Sequence, residues 1–261
     1  MDRISYLKTL NYLTDNKLNT VCMEANCPNR YECFAKKTAT FLILGDKCTR
    51  NCKYCDIKTG ISKVDENEPE KIRKAVEDMG IKYAVITSVN RDDLPDNGAG
   101  HFAKVIKALN CTVEVLIPDF IDQLDIIAEA KPFVINHNIE VVKPLFKQLR
   151  PQGNYNTSLQ LLKKIKQYNI ISKSGLMLGF GETKKDIIDT LKDLKEAEVD
   201  IVTIGQYLAP SETHFPIKKI YSDEEFKEIK TIAQNMGFKH VECGKMVRSS
   251  YHAEMAFNKN N

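Results

Sequence analysis

The chain has 261 residues, with 38 Lys and Arg against 35 Asp and Glu and a formal net charge of +3. This near balance argues against a nucleic-acid partner, because such proteins carry a strongly basic face. No stretch approaches the roughly 20 apolar residues of a membrane helix, and the N-terminal sequence lacks the apolar region of a secretory signal. We therefore expect a cytoplasmic protein without a membrane segment.

Cysteines dominate the N-terminal part of the chain. Six of the eight lie between residues 22 and 55, in an upstream triplet (Cys22, Cys27 and Cys33) and a downstream triplet (Cys48, Cys52 and Cys55). In a secreted chain this density would suggest disulfides. In a reducing compartment it favours metal binding or catalysis.

Beyond the cysteines, short apolar runs alternate with amphipathic stretches. The predicted strands are 39–46, 82–88, 112–118, 133–138, 170–179 and 201–208. Apolar residues recur at helical spacing in 69–79, 184–198 and 223–236. Such alternation predicts a parallel α/β architecture. Periodicity alone does not distinguish an open doubly wound sheet from a full or partial barrel.

Polar and glycine-bearing stretches follow the predicted strands. They include 90–93, 137–140 and 179–182. In parallel α/β folds the carboxyl ends of the strands form the active face, so this pattern predicts that the candidate chemistry gathers on one rim.

The downstream triplet has the spacing Cys48-x3-Cys52-x2-Cys55, in a loop that also holds Lys47, Arg50 and Lys53. Cysteine thiolates hold [4Fe–4S] clusters, and nearby cations favour the thiolate form. Three thiolates bind three of the four irons, which leaves the fourth iron open to an amino-carboxylate ligand. The alternative is a zinc site. It would usually need four Cys or His ligands, and residues 1–100 contain no His.

The upstream triplet, Cys22-x4-Cys27-x5-Cys33, is weak evidence alone. Together with the downstream triplet it indicates a second cluster. The fourth ligand of that cluster would come from another part of the chain or be absent. The alternatives are that these thiols are structural or join the other cluster.

Residues from about 20 to 256 resemble the lipoyl synthases of the radical S-adenosylmethionine (SAM) superfamily. The resemblance rests on TVCMEANCPNRYECF, GDKCTRNCKYCDI, SVNRDDLPDNGAGHF, NHNIEVV, LRPQGNY, KSGLMLGFGET and VRSSYHAE, in that order. It implies a partial (β/α)6 TIM-type barrel over 39–240. The flanking segments are 1–38, with the upstream triplet, and 241–261, with the RSSY sequence.

The resemblance also implies an enzyme that inserts two sulfur atoms, at C6 and C8 of an octanoyl chain bound to a lysine of a lipoyl carrier domain. A [4Fe–4S] cluster on Cys48, Cys52 and Cys55 passes an electron to SAM, which yields a 5′-deoxyadenosyl radical. A second, auxiliary [4Fe–4S] cluster on the upstream triplet is the sulfur donor. The carrier would be a 2-oxoacid dehydrogenase E2 or a glycine cleavage H protein, and the electron donor a ferredoxin or flavodoxin.

A serine of RSSY is implied as the fourth auxiliary-cluster ligand. We predict Ser250, on the expectation that adjacent residues of an extended segment point to opposite sides; Ser249 and Cys243 are the alternatives. A serine oxygen is a poorer iron ligand than a thiolate, which suits an iron that must be released. Cys243 lies in a predicted strand and is otherwise a small buried residue.

SAM carries a carboxylate, an ammonium, a ribose and an adenine. Polar residues near the strand ends are candidates to bind it, the alternative being solvated surface: Arg91, Asp92, Asn136, Asn138, Glu140 and Arg150. Lys173, inside an apolar strand, should be paired or functional. His101, His214 and His252 receive no role.

Two rival functions remain at this point. Another sulfur-inserting radical SAM enzyme, such as a biotin synthase or methylthiotransferase, is disfavoured by the upstream triplet and RSSY. A non-enzymatic iron–sulfur or zinc module would not cleave SAM.

Overall fold

The computed structural model describes residues 3–251 and residue 253. The chain forms two compact units. The first comprises the described residues up to Arg50 together with Asp56–Phe133, and the second comprises Asn51–Cys55 together with the described residues from Val134 onward. The predicted division at residues 38 and 240 follows different boundaries and stays a prediction.

The first unit contains six helices and five strands among its described residues. In chain order they are α1 (Arg3–Asp15), α2 (Val21–Glu24), α3 (Arg30–Ala35), β1 (Thr40–Ile43), β2 (Lys47–Cys48), β3 (Lys58–Thr59), α4 (Glu68–Met79), β4 (Tyr83–Ser88), α5 (Ala99–Ala108), β5 (Thr112–Leu116) and α6 (Leu124–Glu129). Strand β4 pairs in parallel with β1 on one side and β5 on the other. The two-residue strands β2 and β3 pair separately, also in parallel.

The second unit continues the alternation. In chain order its elements are β6 (Val134–Asn136), α7 (Lys143–Leu149), α8 (Tyr155–Ile165), a 3-10 turn (Lys166–Tyr168), β7 (Ile171–Leu178), α9 (Lys184–Glu196), β8 (Ile201–Gln206), α10 (Asp223–Asn235) and β9 (His240–Gly244). Its four strands pair in sequence order and in parallel. All six predicted strands are confirmed, as is the strand predicted around Cys243.

Local chemistry sets the helix boundaries. Helix α4 has Pro69 in its first turn and ends at Gly80, whose left-handed φ of 68° costs a glycine little. Helices α9 and α10 each begin with a capping box, in which the N-cap hydroxyl and a carboxylate three residues later satisfy each other's backbone N–H groups.

One face of the second unit's sheet carries buried polar side chains among apolar ones. Asn136 pairs in register with Lys173, and Gly175 pairs with Thr203. Side chains alternate between faces along a strand, so these positions share a face, and Asn136, Lys173 and Thr203 are all buried. The burial of polar side chains costs free energy unless they serve a ligand or an internal hydrogen-bond network.

Within the residues that the structure describes, no helix is long and apolar enough to cross a membrane.

Candidate active site

The downstream triplet begins in the first unit, where Cys48 ends β2. The Cys48 Sγ accepts hydrogen bonds from the backbone N–H groups of Arg50 and Asn90, each at 3.4 Å. The Cys48 carbonyl accepts from Gly60 N–H at 2.8 Å. Hydrogen bonds to cysteine sulfur are a means by which proteins tune iron–sulfur clusters, so the surroundings of this thiol fit a cluster ligand.

Arg50 anchors the start of the cysteine loop, residues 48–55. Its guanidinium donates to both carboxylate oxygens of Asp92, at 2.7 Å from Nη2 and 3.0 Å from Nε, and pairs with Asp119. Thr49 Oγ1 donates to the same Asp92 carboxylate at 2.6 Å. The Arg50 hydrogen bond holds the pKa of Asp92 below its ordinary value. Asp92 thus supports the cysteine loop, and its contact with SAM stays a prediction.

Arg91 also makes contacts within the first unit. It is 3% exposed, donates to both carboxylate oxygens of Asp93 at 2.8 Å, and donates from Nη1 to the Leu44 carbonyl at 2.9 Å. The bidentate pair with Asp93 lies within the loop after β4, and the hydrogen bond to the Leu44 carbonyl ties this loop to the end of β1. Sequence reasoning predicted a SAM contact for Arg91, whereas the contacts that the structure shows are those of a support.

The rest of the cysteine loop, Asn51–Cys55, belongs to the second unit. Lys53 N–H donates to the Leu149 carbonyl at 2.9 Å, and the Lys53 carbonyl accepts from Phe215 N–H at 3.0 Å. His214 Nε2 lies 3.2 Å from the Cys55 carbonyl oxygen. Sequence reasoning gave His214 no role, because nothing in the local sequence signals a partner 159 positions away in the chain.

Two asparagines of the second unit carry buried polar atoms without partners. Both amide atoms of Asn136, which is 1% exposed, and the Oδ1 of Asn138 lack a hydrogen bond among the described residues. Asn138 Nδ2 donates to Glu140 Oε1 at 3.1 Å. An unpaired buried amide costs about 1–3 kcal/mol, so such groups call for an explanation. A polar ligand at this position supplies one.

Glu140 and Arg150 complete a polar cluster beside these asparagines. Arg150 Nη1 donates to the Asn138 carbonyl at 3.2 Å. Burial raises the pKa of Glu140, although the Arg150 charge opposes the shift. Burial, followed by the Glu140 charge, also raises the pKa of Tyr54 in the cysteine loop. Three of the predicted SAM-binding residues, Asn138, Glu140 and Arg150, thus cluster together, near one end of the downstream triplet.

Replacing Asn136 with Leu tests whether the unpaired amide serves a ligand. The variant should raise the unfolding free energy of the cofactor-free protein by about 1–2 kcal/mol, because an apolar side chain of similar shape removes two unpaired polar atoms. It should weaken SAM binding about tenfold or more. Urea unfolding and calorimetric SAM titration of the reconstituted protein measure the two effects.

The matched control for this variant is Asn154→Leu. Asn154 caps α8 by accepting from Thr157 N–H at 3.1 Å, so its loss should cost about 1 kcal/mol and leave SAM affinity unchanged. If Asn136→Leu behaved like this control, the ligand explanation for the unpaired amide would be wrong.

The three cysteines of the upstream triplet lie within the first unit, where Cys22 is buried and Cys27 and Cys33 are half-buried. Burial raises the pKa of Cys22 to about 11 and that of Cys33 to about 12, and in each case the neighbouring Cys27 adds to the rise. Cys22 lies in α2 and Cys33 in α3, and Thr20 caps α2 through its side chain. Metal binding to such thiols displaces their protons.

No disulfide joins any of the eight cysteines, all of which lie within the described residues. Across the described residues, no three His, Cys, Asp or Glu side chains are already gathered as a metal site. The ligand assignments therefore rest on donor chemistry and spacing, and they stay predictions.

The RSSY segment differs from the sequence prediction in one respect. We expected an extended segment, but Tyr251 N–H donates to the Arg248 carbonyl at 3.0 Å, which closes a turn with Ser249 and Ser250 at its centre. The expectation of an extended segment is therefore wrong, because turn geometry and not strand geometry orients these serines. The segment before it packs closely: a Cβ at Gly205 would lie 2.1 Å from the Val247 carbonyl oxygen.

Cys243, the alternative ligand, lies in β9, and its Sγ donates to the Phe226 carbonyl of α10 at 3.3 Å. Burial raises its pKa to about 12. This environment fits the alternative role of a small packing residue, although the Cys243 side chain is only half-buried. His252, to which no role was given, lies outside the described residues.

Comparison with known proteins identifies the family. Residues 42–194 match the model of the radical SAM superfamily. The chain is 48% identical over 254 residues to the lipoyl synthase of Caldanaerobacter subterraneus subsp. tengcongensis, covering 94% of this chain and 89% of that protein. It is 50% identical over 248 residues to the lipoyl synthase of Caldicellulosiruptor bescii, covering 91% and 85%.

Solved structures with low sequence identity share the fold. Streptococcus suis SuiB bound to S-adenosylmethionine matches with a TM-score of 0.63 at 13% identity, covering 89% of this chain and 57% of SuiB. Methylornithine synthase (PylB) matches with a TM-score of 0.54 at 14% identity, covering 77% and 70%. Together with the parallel strands of both units, these matches confirm the predicted α/β fold class, a partial TIM-type barrel.

The fold and the family model define an enzyme of the radical SAM class. Within that class, the chain belongs to the lipoyl synthase family, because its relatives there are about half identical over nearly all of its length. The predicted family and the predicted enzymatic activity of a lipoyl synthase are thereby confirmed.

Proposed function

We propose that the chain inserts sulfur at C6 and C8 of an octanoyl group on a lipoyl carrier domain, and that it does so with two [4Fe–4S] clusters. Membership of the radical SAM superfamily implies one such cluster and SAM, and the lipoyl synthase family implies a protein-bound octanoyl substrate. The second cluster, its role as sulfur donor and the residues that bind each group are the added claims.

The observation that carries this proposal is the upstream triplet. A radical SAM enzyme with a single cluster needs three cysteines, and this chain has a second set of three at short spacing, of which Cys22 is buried and Cys27 and Cys33 are half-buried. A soft thiolate set of this kind suits an iron–sulfur cluster. A merely structural role would not require three cysteines at this short spacing in the sequence.

In this proposal Cys48, Cys52 and Cys55 hold the first cluster and leave one iron for the amino and carboxylate groups of SAM. When bound, these cofactors supply the radical that removes hydrogen from the octanoyl chain. The protein contributes position and electrostatics. Asn90 and Arg50 donate N–H groups to Cys48.

The proposed SAM pocket combines hydrogen-bond donors and acceptors. The Asn136 amide and the Asn138 Oδ1 offer unpaired groups, and Glu140 and Arg150 offer a carboxylate and a guanidinium of opposite charge. Arg150 suits the carboxylate of SAM, since guanidinium–carboxylate pairs are strong and directional.

We keep Arg91 and Asp92 in the proposed SAM-binding set. Their observed contacts with Asp93 and Arg50 support the idea that they hold the neighbouring loops in place for the cofactor.

For the auxiliary cluster we propose Cys22, Cys27 and Cys33 with Ser250 as the fourth ligand. Ser249 is the alternative within the same turn. Cys243 is disfavoured, because its thiol already donates to the Phe226 carbonyl. An oxygen ligand suits an iron that must leave when the cluster gives up its sulfur.

The proposed partners are an octanoylated carrier of the 2-oxoacid dehydrogenase E2 or glycine cleavage H protein type and a ferredoxin or flavodoxin as electron donor. We further propose a cytoplasmic location, since six cluster-binding thiols need a reducing compartment. The proposed organisation is an N-terminal cluster segment (1–38), a barrel (39–240) and a C-terminal RSSY segment (241–261).

The proposed function is tested by mass spectrometry of an octanoylated carrier domain after anaerobic incubation with the reconstituted enzyme, SAM and a reductant. The expected product has gained two sulfur atoms, and one molecule of SAM has been consumed for each sulfur atom inserted. A carrier that gained no sulfur, although SAM was cleaved, would contradict the proposal and indicate a different radical SAM reaction.

A further inference from the structure

A directed chain of hydrogen bonds ends on the cysteine loop. His214 Nε2 lies 3.2 Å from the Cys55 carbonyl oxygen. A carbonyl can only accept, so Nε2 carries the hydrogen, and in the neutral imidazole Nδ1 is then an acceptor. Ser211 Oγ lies 2.8 Å from that Nδ1 and donates to it. Thr213 Oγ1, 2.9 Å from Ser211 Oγ, then donates to the serine in turn.

The segment that carries this chain is itself fixed. Phe215 N–H donates to the Lys53 carbonyl at 3.0 Å, and Tyr207 O–H donates to the Phe215 carbonyl at 2.8 Å. The ring of Phe180 stacks on Tyr207 with centroids 4.2 Å apart and lies 5.9 Å from Phe215. Residues 211–215 therefore rest on aromatic side chains that directly follow β7 and β8.

Two carbonyl groups of the loop, those of Lys53 and Cys55, are thus held from one segment on either side of Tyr54. The Tyr54 ring lies 6.1 Å from Phe180, which belongs to the same aromatic support. A loop without regular secondary structure needs such outside partners to fix its backbone, and the groups that orient metal ligands affect metal affinity strongly.

We propose that His214 is a positioning residue, which fixes the Cys55 carbonyl and thereby the end of the loop that binds the SAM cluster. This inference rests on the proposed function in one respect, namely that Cys48, Cys52 and Cys55 hold a cluster. His214 acts through the backbone of Cys55 and does not ligate iron. Ser211 keeps the imidazole in the tautomer that donates to the carbonyl.

The test uses the full-length, anaerobically reconstituted enzyme with His214→Leu and His214→Gln. The leucine variant should release the SAM-cluster half of its iron to a chelator about fivefold faster than the wild type, the effect of one lost hydrogen bond. It should also show a smaller change in the electron paramagnetic resonance spectrum on SAM addition. Glutamine keeps an amide donor at similar reach and should release iron within about twofold of the wild-type rate.

The control is His240→Leu. His240 begins β9, and its ring lies 3.6 Å from Glu242, so its loss should leave both readouts unchanged. If His214→Leu released iron at the wild-type rate and gave wild-type spectra, the positioning role would be overturned. The same would follow if His214→Gln released iron as fast as His214→Leu. Retention of all iron by a Cys48→Ala/Cys52→Ala/Cys55→Ala variant would instead refute the proposed cluster site, so the two failures are distinguishable.

Discussion

A variant with Cys48, Cys52 and Cys55 all replaced by Ala is expected to form no 5′-deoxyadenosine from SAM under reducing, anaerobic conditions. The downstream triplet supplies every protein ligand that we propose for the cluster that reduces SAM, and no remaining group can substitute for three thiolates at once. The loss should therefore be complete. Chromatographic assay of 5′-deoxyadenosine with a chemical reductant measures it.

The matched control for this variant replaces the two isolated cysteines, as Cys111→Ala/Cys243→Ala. Cys111 directly precedes β5, and Cys243 donates to the Phe226 carbonyl, so neither belongs to a proposed cluster. This control should cleave SAM at the wild-type rate. Residual SAM cleavage by the triple variant would mean that the downstream triplet is not the reducing site.

The second large effect is expected from Cys22→Ala/Cys27→Ala/Cys33→Ala. This variant should still cleave SAM, because the downstream triplet is intact, but it should add no sulfur to an octanoylated carrier, because its sulfur source is gone. Deoxyadenosine formation without product sulfur is the predicted signature, measured on one reaction mixture by chromatography and by mass spectrometry of the carrier.

The opposite signature would contradict the donor role of the upstream triplet. If this variant still produced a carrier with two added sulfur atoms, sulfide would have to come from elsewhere. If it lost SAM cleavage as well, with unchanged unfolding, the two triplets would serve a single cluster.

The sequence predicted the strands well, because they are buried on both faces and so read as continuous apolar runs. Proline and glycine marked the ends of α4 for local steric reasons. The cysteine triplets could be recognised as candidate cluster ligands because such ligands are identified by residue type and short spacing, both of which can be read from the sequence.

Side-chain contacts that form only in the folded chain were beyond sequence reasoning. Arg91 and Asp92 were placed correctly near the end of a strand, but their engagement by Asp93 and Arg50 depends on side-chain direction in the folded chain. The role of His214 depends on a partner far away in sequence. The turn at Ser249 and Ser250 was missed because the segment contains no glycine or proline, the residues that most clearly signal turns.

The buried polar residues on the sheet of the second unit also could not be assigned a role from the sequence. Lys173 was noted as unusual within an apolar strand, but its register partner Asn136 was recognised only as a residue near a strand end. Two unpaired amide atoms on one buried side chain become informative only when burial is known. Here the structure sharpened a general expectation into a specific prediction, namely that Asn136 binds a ligand.

The central claim is that the chain carries two independent clusters, and the most direct measurement is the iron and sulfide content of the anaerobically reconstituted protein. We predict about eight irons in the wild type and about four in each of the two triple-cysteine variants. About four irons in the wild type, lost entirely in one triple variant and retained in the other, would contradict the account. The chain would then hold one cluster, and the upstream or downstream triplet would need another explanation.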